Sequence, residues 1–172
     1  VSAFPKSENS RLAWAKAVVD TENPLTARVI VNRVWHHIFG RGLVETVDNF
    51  GLQGKLPSHP ELLDFLALHF VESGWSIKNL LRDILSTEAF QRSTTIDEDN
   101  LLIDPDNIYL HSFPVRRLEG EAIRDGMLAV SGRLDSTLYG ESVPVHLTEF
   151  MFGRGRPPLS GPLDGAGRRS VY

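Results

Sequence analysis

Apolar residues recur at steps of three and four through most of the first 134 positions, and that period predicts helices. Residues Ser10 to Asp20 place Leu12, Ala15, Val18 and Val19 on one side with Trp14 beside them, and Ser10 is positioned to cap. The strongest pattern follows. Asn23 offers a cap and Pro24 suits a first helical turn, and Ala27, Ile30, Val31, Val34, Trp35 and Ile38, with Phe39, form one continuous apolar face. Gly40 and Gly42 end it.

Leu43 to Pro57 has no helical period; Val44, Thr46 and Val47 read as a short extended piece within a loop. Ser58-His59-Pro60-Glu61 has the spacing of a capping box, with Ser58 at the cap. The helix after it turns Leu62, Phe65, Leu66, His69 and Phe70 inward and stops at Gly74. Ser76 then caps another, with Ile77, Leu80, Leu81, Ile84 and Leu85 inward. Ser93 to Asn107 reads as a polar surface loop in which Asp104-Pro105 starts a short helix toward Tyr109. Phe113-Pro114 marks a boundary. Val115 to Leu134 reads as a last helix with two apolar stripes, Leu118, Ala122, Ala129 and Val130 on one and Ile123, Met127 and Leu134 on the other, as if packed on more than one partner helix. Beyond Asp135, Gly and Pro alternate too densely for long regular structure, and Arg168 to Tyr172 reads as the start of a strand. The expected fold is mainly α: a helical, bundle-like single domain over residues 1–134, then a long irregular Gly/Pro-rich segment over 135–172 that reads as truncated from a longer domain.

Composition narrows the chemistry. The 172 residues are 41% hydrophobic and 23% charged, an ordinary globular balance that excludes collagen-like and wholly disordered chains. A formal net charge of −4 argues against a general nucleic-acid binder. With no cysteine there is no disulfide, thiol nucleophile, Cys-ligated metal or haem attachment motif. No apolar run reaches the ~20 residues of a membrane span, and the first ten residues lack a signal-peptide pattern. A start at Val1 reads as a piece cut from a longer protein.

Candidate chemistry is sparse. Arg28, Asn32 and His36 form an i, i+4, i+8 ridge, with Arg33 beside it, on the polar side of the Trp35 helix. Arg116, Arg117, Glu119, Glu121, Arg124 and Asp125 crowd a second helix. Facing one another, Arg28, Asn32, Arg33 and His36 and the trio Glu121, Arg124 and Asp125 would make either a structural polar contact or a cleft for an anionic ligand. His69 and Glu72 share a face, but no third ligand has a fixed spacing. Asp97, Asp99, Asp104 and Asp106 lack the oxygen ligand and glycine a calcium loop needs at its fifth and sixth positions, so no metal site is assigned. Arg154, Arg156, Arg168 and Arg169 make the tail a candidate anion-binding segment, or a flexible connector. Phosphate-loop and nucleophile-elbow motifs are absent.

A dense string of short motifs carries a resemblance. Asn23-Pro24-Leu25-Thr26-Ala27-Arg28, Val31-Asn32-Arg33-Val34-Trp35 and Phe39-Gly40-Arg41-Gly42-Leu43-Val44 come first. Then follow Asn49-Phe50-Gly51, Ser58 to Asp64, Gly74-Trp75-Ser76-Ile77-Lys78, Arg116 to Glu119, Glu121 to Asp125 and Ser131 to Leu134. Over roughly residues 20–172 the chain resembles the planctomycete-specific C-terminal domain, of unknown function, of large envelope-type proteins that often carry an N-terminal cytochrome c-type domain. The resemblance implies export and an extracytoplasmic location, in periplasm or envelope. It implies that any c-type haem sits in a separate domain of the parent, with no cofactor in this chain. It transfers no catalytic residue.

The leading expectation is a non-catalytic interaction or scaffold domain whose partner is another domain of its parent or a cell-surface polymer. The rivals are a hydrolytic, polysaccharide-directed enzyme using the polar cleft between the Arg28–His36 and Arg116–Asp125 helices, and an anion-binding module working through the Arg/Gly tail.

Overall fold

The computed structural model describes residues 11–151 and 153–170, so the Ser10 cap and the residues Val171 and Tyr172 lie outside the described residues. It is mainly α-helical: α1 (Arg11–Val18), α2 (Pro24–Phe39), α3 (Pro60–Glu72), α4 (Ile77–Leu85), α5 (Glu88–Gln91), α6 (Glu98–Ile103) and α7 (Gly120–Val130), with no strand among the described residues. One isolated parallel bridge joins Asp135 to Arg168, in place of the strand expected from Arg168 onward. The chain divides into two compact units, Val1–Arg116 and Arg117–Tyr172, which groups α7 with the Gly/Pro-rich segment that follows it.

In the N-terminal unit α2 is the central element. Asn23 accepts a hydrogen bond from the Leu25 amide at 2.9 Å, Pro24 occupies the first turn, and Gly40 ends the helix in the left-handed conformation. The face read from the sequence is the buried one: Ala27, Val31, Trp35 and Phe39 enter the core, with Ile30, Val34 and Ile38 half-buried at its edge. Leu63, Leu66, Ala67 and Phe70 of α3, Leu80 and Ile84 of α4, and Leu43 and Val44 of the loop after α2 complete that core. Phe70, Leu80 and Ile84 are about 1% exposed. Each such side chain contributes on the order of 2 kcal/mol of burial.

The buried face of α3 is turned by about one position from the expected one. Leu63 and Ala67 are inside, while Phe65 is 63% exposed. The start of the helix explains the difference. Ser58 does not cap: the cap position falls at His59 without a side-chain bond, because the Ser58 hydroxyl and amide both donate to the Leu43 carbonyl, at 3.2 and 2.8 Å. Ser58 therefore closes the preceding loop. At the other end the Trp75 amide donates to Phe70 and the Gly74 amide to Val71, and the rings of Phe70 and Trp75 meet edge-on at 5.4 Å. This is a Schellman closure with its hydrophobic contact, and Gly74 supplies the required φ of +74°. Ser76 caps α4 as expected, accepting from the Asn79 amide.

Three further expectations give way. Val44 to Val47 is a series of bends, not an extended piece, since Val44 is held by a side chain of α2 rather than by a strand partner. The stretch read as loop before Asp104 contains α6, capped by Asp97, and α5 is capped by Thr87. Asp104-Pro105 begins a tight turn rather than a helix.

In the C-terminal unit α7 starts at Gly120, five residues later than its pattern, and buries Leu128 alone among its residues. Its stripes are not packed on partner helices: Leu118, Met127 and Val130 are 62%, 68% and 92% exposed. The segment after it is held by side-chain bonds back to α7, described below.

Candidate functional site

The polar ridge of α2 is spent on the architecture of its own unit. Arg28 pairs with Asp64 of α3 at 2.6 Å and also donates to the Pro24 carbonyl. The Arg28 hydrogen bond holds the Asp64 carboxyl below its ordinary value, against a smaller opposing effect of burial. Asn32 is fully buried. Its amide nitrogen donates to the Val44 carbonyl at 2.9 Å and its oxygen accepts from the Val44 amide at 2.8 Å. Gly42 is needed where the chain passes this pair, because a Cβ there would meet Asn32 and the Val44 carbonyl. Arg33 reaches Asp48 at 3.1 Å in an exposed pair, worth little in water. His36 makes no bond at its buried Nδ1. Arg28, Asn32 and Arg33 thus bond to three different partners, and the ridge does not converge on one point.

Two of the three α7 candidates behave alike. The Arg124 guanidinium donates to the Arg168 and Asp164 carbonyls at 2.8 and 2.5 Å and to the Ser170 hydroxyl. Asp125 accepts from the Ser170 amide and hydroxyl at 3.0 and 2.8 Å. Those Ser170 bonds, chiefly the hydroxyl's, and Arg124 hold the Asp125 carboxyl low. Glu121 makes no ion pair among the described residues. Arg124 and Asp125 therefore clamp residues 164–170 onto α7. Of the tail arginines, Arg168 and Arg169 line a concavity beside that clamp, whereas Arg154 and Arg156 are exposed and make no ion pair among the described residues. His69 bonds to Asp83 of α4 at 3.0 Å and not to Glu72, and its ring stacks on Phe65.

The N-terminal unit contains a cleft of about 440 Å³ that the sequence pattern did not announce. Its floor is Trp35, Phe39, Leu43 and Leu62. Its rim carries Arg41, His59 and Arg92 against Glu88 and Asp106. One wall is the turn after α6. Asp104, 7% exposed, accepts from the Ile108 and Tyr109 amides at 2.9 and 2.8 Å. Burial pushes its carboxyl up, but these two amides, with His111 and Arg41 nearby, prevail and hold it below the ordinary value. Asn107 closes the turn with two bonds to Ser112, and both Asn107 and Leu110 sit at positive φ, +51° and +52°. Such conformations cost about 1 kcal/mol or more each and persist where the surroundings over-determine them. The result is a fixed wall that presents Tyr109, 71% exposed, edge-on to His59 at 5.6 Å. Asp-Pro-Asp-Asn is a turn signature, and reading it as one would have located this wall from the sequence.

His59 Nδ1 lies 3.0 Å from the Ser58 hydroxyl oxygen, and the same hydroxyl stands 3.2 Å from the Leu43 carbonyl. Among the described residues no group of three His, Asp, Glu or Cys side chains is placed to hold a metal ion. None of their helices is long and apolar enough to cross a membrane.

No curated protein and no solved structure matches this chain. One family profile matches residues 10–172, nearly its whole length, and the chain therefore belongs to the PSD1 family, described as protein of unknown function (DUF1553).

Proposed function

We propose that the chain is a non-catalytic interaction domain of a larger exported protein, and that it docks another domain of that parent through the aromatic-floored cleft of the N-terminal unit. The observation that carries this reading is the division of labour among its polar groups. Arg28, Asn32, Arg124 and Asp125 are consumed by internal bonds, while the cleft offers an apolar floor inside a rim of both charges. A folded polypeptide surface with an apolar anchor and mixed charges fits such a rim; a uniformly charged polymer does not. The extracytoplasmic, cytochrome-linked setting is supported by the motif resemblance. Thioether attachment of haem needs cysteine, so a c-type haem would belong to a separate domain of the parent.

The test is calorimetric titration of this chain with the remainder of its parent polypeptide. Saturable binding that falls about tenfold in Tyr109→Ala and Arg92→Ala, with melting temperatures unchanged, is the expected result. Two outcomes overturn the reading. One is binding indifferent to both substitutions, or absent. The other is glycan turnover lost in Glu88→Gln and Asp106→Asn, which would make the cleft a hydrolase site.

A further inference from the structure

The C-terminal unit has its own concavity, of about 430 Å³, independent of the cleft above. Arg124, Arg168 and Arg169 line it together with Ser142, His146 and Ser170, against a single carboxylate, Glu121. Asp125 pairs with Arg124, which leaves Arg168 and Arg169 in excess over Glu121.

Two of the guanidiniums have capacity to spare. Arg168 donates one Nη2 bond to the Tyr139 carbonyl at 2.7 Å, its Nε is closed off from solvent, and no carboxylate lies within ion-pair distance, Asp135 acting on it only at longer range. A guanidinium that lines a concavity without a carboxylate paired to it is suited to an anion. Arg169 is exposed and makes no side-chain hydrogen bond or ion pair among the described residues. His146 donates through Nδ1 to the Gly161 carbonyl at 3.0 Å, so its neutral ring offers Nε2 as an acceptor for a ligand hydroxyl, and donation to an anion falls to the arginines. Pro144, Pro162 and Leu163 supply apolar wall beside these donors. Cationic side chains lining one concavity beside an apolar wall suit an oxyanion carried on a carbon skeleton better than a bare ion.

We propose that this pocket is a binding site for a small organic oxyanion, a carboxylate or sulfate ester on a saccharide-sized body, held by Arg168 and Arg169. The site divides the tail's arginines: Arg168 and Arg169 bind, and Arg154 and Arg156 do not.

Thermal shift and calorimetry of this chain test it with glucuronate, a glucose sulfate ester, inorganic sulfate and neutral glucose as probes. Glucuronate or the sulfate ester should bind saturably and raise the melting temperature, with glucose inert. Arg169→Ala, whose side chain holds nothing else, should weaken that binding about tenfold or more. Arg168→Ala should do the same, and if that variant fails to fold Arg169→Ala stands alone. Glu121→Gln should tighten binding a few-fold by removing a like charge. The Arg154→Ala/Arg156→Ala double variant should bind as wild type. Overturning results are an absence of saturable binding to both organic acids, equal losses in the Arg154/Arg156 variant, or inorganic sulfate binding while both organic acids are refused.

Discussion

The carboxamide of Asn32 replaces a missing strand partner for Val44: it satisfies both backbone polar groups of that residue in the middle of the hydrophobic core. The segment leaving α2 is thereby seated on the helix it has just left, and Leu43 and Val44 join the core instead of leading away from it.

Asn32→Ala should therefore cost about 2–4 kcal/mol, because it strands a buried N–H and a buried C=O together. Urea unfolding followed by circular dichroism should show a lower midpoint at unchanged slope. Asn32→Leu should be no better, since it restores volume without either bond. A loss near zero in both variants would mean that the Val44 backbone finds other partners.

Asp104 should give the N-terminal unit a pH dependence. Its folded-state pKa lies below the ordinary aspartate value. Its contribution is then fully present above the unfolded-state value and is lost as pH falls through the folded one. Asp64, Asp125 and Asp135 are lowered as well, so acid unfolding of the wild type sums several groups. Asp104→Asn isolates one of them. Its stability loss should be largest at neutral pH and shrink below about pH 4, and a loss independent of pH would remove the carboxylate's charge from the explanation.

Gly167→Ala and Gly74→Ala separate strain from collision. Both glycines have φ near +75°, at +78° and +74°. A Cβ at 74 meets nothing within 4 Å, whereas one at 167 falls on the Arg133 carbonyl, beside the Asp135 amide that binds Gly167. Gly74→Ala should cost about 1 kcal/mol. Gly167→Ala should cost clearly more and should break the Asp135–Arg168 bridge, visible as changed amide shifts at Asp135. Equal costs would show that backbone conformation alone sets both.

Asp125→Ala should release the end of the C-terminal unit. It removes the acceptor of the Ser170 amide and hydroxyl and one partner of Arg124. Trypsin should then cut after Arg168 and Arg169 faster than in wild type, with cutting after Arg116 and Arg117 unchanged as the internal control.

Where side chains repeat with a helix's own period, the sequence was sufficient: α2, with its Asn23 cap and Gly40 stop, lies where its pattern places it. Long-range bonds were not legible. Ser58 looked like a cap because Glu61 stands three residues on, yet its bonds go fifteen residues back to Leu43. Arg28, Asn32 and His36 looked like a site because their spacing makes a ridge, and spacing cannot say that Asp64 and Val44 claim two of them. The apolar stripes of α7 implied packing that its exposed Met127 and Val130 do not make. The cleft is assembled from segments far apart in the chain, and its one local signal was the turn chemistry at Asp104.

Helix α1 shows what the cap of α2 does beyond ending its own helix. Eight residues are too few to hold a helix in water, and none of those in α1 is buried. The Asn23 amide nitrogen bonds to the Ala17 carbonyl and the Thr26 hydroxyl to the Val18 carbonyl, so residues flanking the start of α2 satisfy the last turn of α1. Order therefore passes backward along the chain. α2 must form before α1 has anything to lean on, and in native-state hydrogen exchange the α1 amides should open at a small fraction of the global unfolding free energy, as a separate late-folding and early-melting unit.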